Sequence, residues 1–251
     1  MRLLRRSILG FGFAVAATLS FTPAQADSVS AAVAANFAKV ATDIAAKFKA
    51  KTGNDVVLSF GATGALYTQI TQAAPFDVFL SADDKRTKTA IRDGFGVDGT
   101  EFTYALGKVV LYSPTIDVSK GDEVLRANGF QHIAVADPNA APYGAAGMAV
   151  LESLGLTAAV TPKIVTGENI MQTQQFVASG SAELGFVSLS QVVAKPAAQV
   201  WLVPQNDYAP IRQNAVLLKH GEGNDVARAF LEYLKSDEAV AAIKAAGYGL
   251  E

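Results

Sequence analysis

Val29-Ser30-Ala31-Ala32-Val33, followed by Ala34-Ala35-Asn36-Phe37 and an amphipathic stretch as far as Ala50, is the segment that decides the fold. A largely apolar run of five residues, broken only by Ser30, has the length of a buried strand, and the turn of small residues after it passes straight into a helical pattern. The unit recurs twice at once, as Asp55–Phe60 with Ala65–Gln72 and as Val78–Leu80 with Lys85–Arg92. Strands alternating with helices predict an α/β fold, parallel strands covered by helices. After Lys108–Tyr112 the rhythm restarts: Ile133–Ala136 leads to the helix Ala145–Leu154, and Lys163–Val165 to Met171–Ala178. Leu184–Val187 and Val200–Leu202 extend this second series, Ala215–Leu218 reads as a returning strand, and Asp225–Ala246 reads as one long terminal helical region. The pattern predicts two lobes, 27–107 with 214–251 and 108–213, each a mostly parallel sheet flanked by helices. The two crossings, near Leu106–Val110 and Ile211–Ala215, have no low-complexity character and read as hinge strands.

At the N-terminus, Met1-Arg2 and Arg5-Arg6 precede an apolar run from Ile8 to Phe21 that ends in Ala24-Gln25-Ala26, the small-x-small pattern of an export signal cleaved after Ala26. That run falls short of the roughly 20 apolar residues of a membrane helix. The paired arginines fit an ordinary basic leader better than a twin-arginine signal. There is no cysteine, so disulfides and thiolate chemistry are excluded and nothing can mispair in an oxidising compartment. A formal net charge of −2, with Lys and Arg scattered, argues against nucleic acid.

Enzyme chemistry finds little support. His132 and His220 are the only histidines, the elbow G-x-S-x-G and the phosphate loop G-x-x-x-x-G-K-[ST] are both missing, and no ligand cluster for zinc exists. Gly94-Phe95-Gly96-Val97-Asp98-Gly99 fits G-x-G-x-x-G but opens no helix, and reads as a plain loop. A hydrolytic enzyme is therefore a remote alternative, and no cofactor is expected.

Four turns share one design, small polar residues placed where a helix begins: Ala34–Phe37, Phe60–Ala65, Asp137–Gly144 and Thr166–Ile170. Asn36 reads as the N-cap of its helix. Helix starts carry free N–H groups and about half a positive charge, so several converging make an anion receptor without Lys or Arg. Singly, each is an ordinary structural cap; the signal lies in having two per lobe. An amino-acid binder would place an arginine fork there, and no arginine lies in these turns, Arg212 near the second crossing being read as a surface residue. Glu168 reads as favouring its helix N-terminus.

These residues resemble the periplasmic molybdate-binding proteins of molybdate ABC transporters, over nearly the whole mature chain. The resemblance rests on Ala34-Ala35-Asn36-Phe37, Phe60-Gly61-Ala62-Thr63-Gly64, Asp137-Pro138, Leu184-Gly185-Phe186-Val187 and above all Phe76-Asp77-Val78-Phe79-Leu80-Ser81-Ala82-Asp83. It implies the type II periplasmic-binding-protein fold, a monomer in the periplasm, and delivery of molybdate or tungstate to a membrane permease. It implies that Asn36 and Thr63 from the first lobe, and Tyr143 and the Ile170 amide from the second, contact the oxyanion as donors and not as direct metal ligands. Ser188 falls where one branch of the family supplies a tyrosine hydroxyl, and Ala35 and Ala62 are further amide candidates. With no Asp or Glu at the four inferred positions, a fully deprotonated anion is favoured over hydrogen phosphate. Sulfate stays open as the alternative, molybdate being preferred by the resemblance alone.

Overall fold

The computed structural model describes residues 28–251; the leader and its cleavage after Ala26 lie outside them. The first lobe runs β1 (Ser28–Ala34), α1 (Ala38–Thr52), β2 (Asp55–Gly61), α2 (Thr63–Thr71), β3 (Val78–Leu80), α3 (Lys85–Arg92) and β4 (Phe102–Gly107). The second runs β5 (Val109–Tyr112), α4 (Asp122–Ala127), β6 (Ile133–Ala136), α5 (Pro142–Ser153), α6 (Thr157–Val160), β7 (Ile164–Gly167), α7 (Ile170–Ala178), β8 (Leu184–Ser188), α8 (Leu189–Val192) and β9 (Val200–Leu202). The chain then returns to the first lobe as β10 (Ile211–Leu217), α9 (Asp225–Leu234) and α10 (Asp237–Ala245).

The sheets have strand orders β2-β1-β3-β10-β4 and β7-β6-β8-β5-β9. In each, three neighbouring strands are parallel and one strand, β10 or β5, runs against the rest. Alternation along the strands loads both faces. Val29, Ala31 and Val33 pack with Ile44 and Phe48 of α1 and Phe230 of α9, while Ala32 and Phe79 pack with Leu66 and Ile70 of α2. In the second lobe Leu111, Val135 and Phe186 meet Val150 and Leu151 of α5, and Val110 and Ala134 meet Val177 of α7. Burying each of the larger ones, the Val, Leu, Ile and Phe side chains, stabilises by about 1.5–3 kcal/mol, and the alanines contribute less.

Register decides where the turns end up. Ala34 of β1 lies beside Gly61 of β2, and Ala136 of β6 beside Gly167 of β7, so each lobe delivers two helix starts side by side at the carboxyl ends of parallel strands. Such ends are where open α/β sheets bind ligands.

Four expectations are corrected. Asn36 caps no helix: Ala35–Phe37 form a 3₁₀ turn, and α1 starts one turn later at Ala38. The terminal helical region is two helices, because Ser236 starts α10 by accepting the Ala239 N–H in its side chain. The helix expected from Ala145 opens instead at Pro142, whose fixed φ and missing N–H suit a first helical position. Ile211–Gln213, assigned above to the second lobe, pair with Gly107–Ala105 in the first lobe's sheet.

Candidate functional site

The lobes are shut on one another. The Gly64 N–H donates to the Ala140 carbonyl at 2.8 Å, Arg86 Nη2 to the Asn139 carbonyl at 2.8 Å, and Ser190 Oγ to the Asn36 carbonyl at 3.0 Å, each bond crossing the cleft. Between them lies a small cavity lined by Asn36, Thr63, Tyr143 and Ile170 together with Ala34, Ala35, Gly61, Ala62, Ala82, Ala141 and Pro142. The four turns singled out in the sequence thus meet at one place. No carboxylate, guanidinium, ammonium or imidazole is among the lining groups.

Thr63 opens α2, and its Oγ1 accepts the Ala82 N–H at 3.0 Å, which leaves the hydroxyl proton free to point into the cavity. Tyr143, fully buried near the start of α5, accepts from Ser188 Oγ at 3.1 Å and from Gln213 Nε2 at 3.4 Å, so its own proton is likewise available. Ile170 opens α7. The Asn169 side chain caps that helix by accepting from Met171 N and Gln172 N, which leaves the Ile170 amide outside the cap. Asn36 behaves differently. Its Nδ2 is spent on Gln213 Oε1 at 2.7 Å and Tyr248 Oη at 2.9 Å, so its side-chain donor is already taken, while its backbone lies in the 3₁₀ turn Ala35–Phe37.

Ser188 does not line the cavity; it stands behind Tyr143 and starts α8 with a reciprocal cap to Gln191. Ala35 and Ala62 do line it. Glu168 stays exposed beside α7, and Arg212 pairs with Glu251 at 2.6 Å on the surface. Neither histidine reaches the site: His132 lies near Glu183, and His220 Nδ1 pairs with Asp77. A wider hollow at the cleft mouth takes in Asp83, Arg86 and Arg212, with Arg86 held by Asp83.

Gln213, Tyr248, Tyr104 and Ser190, which join this site to the hinge, escaped the sequence reading. The sequence offered no local signal for them: Gln213 stands between Arg212 and Asn214, in a run that reads as polar and exposed. Burial raises the phenols of Tyr104, Tyr143 and Tyr248 above their ordinary value of 10.0. A raised folded-state pKa contributes stability fully below the unfolded value and loses it as pH climbs through the folded one. Denaturant titrations are therefore expected to give flat stability from pH 7 to 9 with respect to these groups, and a fall above pH 10.

Two α/β lobes shut over a donor-lined cavity without fixed charge define an anion-capturing solute-binding protein. The family model for bacterial extracellular solute-binding proteins matches residues 29–249. The chain is 49% identical over 232 residues to the molybdate-binding protein ModA of Rhodobacter capsulatus, covering 91% of each. It is 48% identical over 242 residues to ModA of Azotobacter vinelandii, covering 95% of this chain and 96% of the relative. The solved periplasmic molybdate-binding protein of Azotobacter vinelandii superposes with a TM-score of 0.85 at 41% identity, over 89% of this chain and 99% of that one. The chain belongs to the ModA family of extracellular solute-binding proteins, which are binding proteins and not enzymes.

Truncating Tyr143 to Phe is expected to weaken anion binding about tenfold or more, and Ser188→Ala only a few-fold, because the first removes a charge-assisted donor and the second only its neighbour. Titration calorimetry of both variants checks this; the reverse ranking would make Ser188 the contact.

Proposed function

We propose that the protein captures molybdate in the closed cleft and hands it to the membrane permease of an ABC importer. Tungstate, with the same shape and charge, fits the same donors. The observation that carries this reading is the meeting of four donor-bearing turns in one cavity with no carboxylate to accept a proton. Such a site rejects hydrogen phosphate, which must leave its own proton unpaired, and admits fully deprotonated tetrahedral dianions. Preference for molybdate over sulfate rests on kinship with the ModA proteins. Each charge-assisted bond contributes about 1.5–3 kcal/mol, so half a dozen outweigh the costs of closure and leave the roughly −8 kcal/mol of micromolar capture or better. The contacts we assign are the Thr63 and Tyr143 hydroxyls and the amides of Asn36, Ile170, Ala35 and Ala62.

The family's location outside the cytoplasm, together with the leader, supports a periplasmic protein beginning at Asp27 after cleavage behind Ala26. Calorimetric titration of residues 27–251 with molybdate, tungstate, sulfate and phosphate in parallel tests the reading. Sub-micromolar binding of the first two alone is the expected result, and preferential sulfate binding would overturn the ligand. Since the cavity lining holds no Lys or Arg, affinity should change little between 50 and 500 mM salt; a steep fall would point to attraction by exposed cationic side chains at the cleft.

A further inference from the structure

We propose that Gln213 is a positioning residue of the anion site: from the returning hinge strand it fixes which groups of Asn36 and Tyr143 face the ligand. The inference rests on the reading of the cavity as an oxyanion site.

Gln213 is completely buried and sits in β10 where the pairing with β4 shifts register between Gln213 and Asn214. Its carboxamide reaches both lobes. Oε1 accepts the Asn36 Nδ2–H at 2.7 Å and lies 3.3 Å from the Tyr104 hydroxyl, while Nε2 points to the Tyr143 phenol at 3.4 Å. A carboxamide is an acceptor at one end and a donor at the other, so this orientation has a direction. It draws the Asn36 side-chain protons away from the cavity, leaving the backbone amide to serve. It also occupies a lone pair of the Tyr143 oxygen, as Ser188 does from the other side, so that the phenol has its proton left for the anion. No other side chain bonded to Tyr143 comes from the first lobe among the described residues. Asn36 and Tyr143 face each other from different lobes, so Gln213 orders the pair only once the cleft is shut.

The experiment compares wild type, Gln213→Met, Tyr143→Phe and the double variant by calorimetric titration with molybdate, with thermal midpoints of the ligand-free proteins alongside. Gln213→Met is expected to weaken binding about tenfold, and by clearly less in the Tyr143→Phe background, because part of its effect runs through that phenol. Wild-type affinity in Gln213→Met, or equal losses in both backgrounds, overturns the proposal. Gln213→Glu supplies a readout that a packing role would not move. An ionised carboxylate draws the Tyr143 proton to itself, whereas a protonated one restores a donor. Burial raises the carboxyl pKa, so affinity should be low at pH 8 and recover towards pH 6, with wild type flat over the same range. A flat profile in Gln213→Glu also overturns the proposal. Silence of the wild type, or an unaffected Tyr143→Phe, would instead sink the site reading, and the role of Gln213 with it.

Discussion

Gly144→Ala should lower the thermal midpoint of the ligand-free protein by about 6–12 °C, the largest stability loss expected from a single methyl group at the site. A Cβ at this position would stand 2.1 Å from the Ala136 carbonyl oxygen, 2.7 Å from its carbon and 3.1 Å from the Asp137 carbonyl carbon. All three atoms are backbone at the end of β6, so no side chain can swing aside. The first turn of α5 must lift off the sheet or the strand end must yield. Overpacking of this kind costs about 3 kcal/mol at the upper end of its usual range, and in a chain of this size each kcal/mol moves the midpoint by about 2–4 °C. Calorimetric melting of the variant decides it. A midpoint within a degree or two of wild type would mean that α5 is not pressed against β6.

The second large effect separates affinity from stability. Gly64→Ala places a Cβ 2.9 Å from Arg86 Nη2, 3.1 Å from Ala140 Cα and 3.2 Å from Ala140 O. Only the mobile end of Arg86 belongs to the same lobe; the rigid obstacle is backbone of the opposite one. Within α2 alanine is a better helix former than glycine by about 1 kcal/mol, so the isolated lobe gains if anything. The closed arrangement suffers, because the Gly64 amide can no longer approach the Ala140 carbonyl at 2.8 Å. Molybdate affinity is expected to fall roughly 10- to 100-fold, the equivalent of about 1–3 kcal/mol of overpacking, with the ligand-free midpoint unchanged or slightly higher. Equal affinity in titration would show that closure does not need this approach.

The parts of the molecule legible in the sequence were those written locally. Strand-length apolar runs followed by helical periodicity gave two α/β lobes, and small residues at helix starts marked the turns that meet in the cavity. Which residues in those turns would face a ligand came from the family resemblance, and the Thr63, Tyr143 and Ile170 it implies all line the cavity. Asn36 reads in the sequence as a cap, yet its side chain bonds to Gln213 and Tyr248, and its turn is 3₁₀. Those partners lie 177 and 212 residues away, beyond any local pattern. The same holds for the edge of the second lobe. Whether Ile211–Gln213 belong to one sheet or the other depends on pairing with β4, and a run of mixed residues does not announce its partner.

The placement of β10 bears on how the protein is made. The strand that separates β3 from β4 is supplied by residues 211–217, and α9 and α10 follow it. The second sheet is built wholly from residues 109–202. Pairings distant in sequence form late in folding. The second lobe is therefore the half whose sheet closes without the C-terminal segment, while the first waits with a gap in its sheet for that segment to pair. A C-terminally truncated polypeptide would present half a cleft, and the anion site is complete only once the last segment has paired.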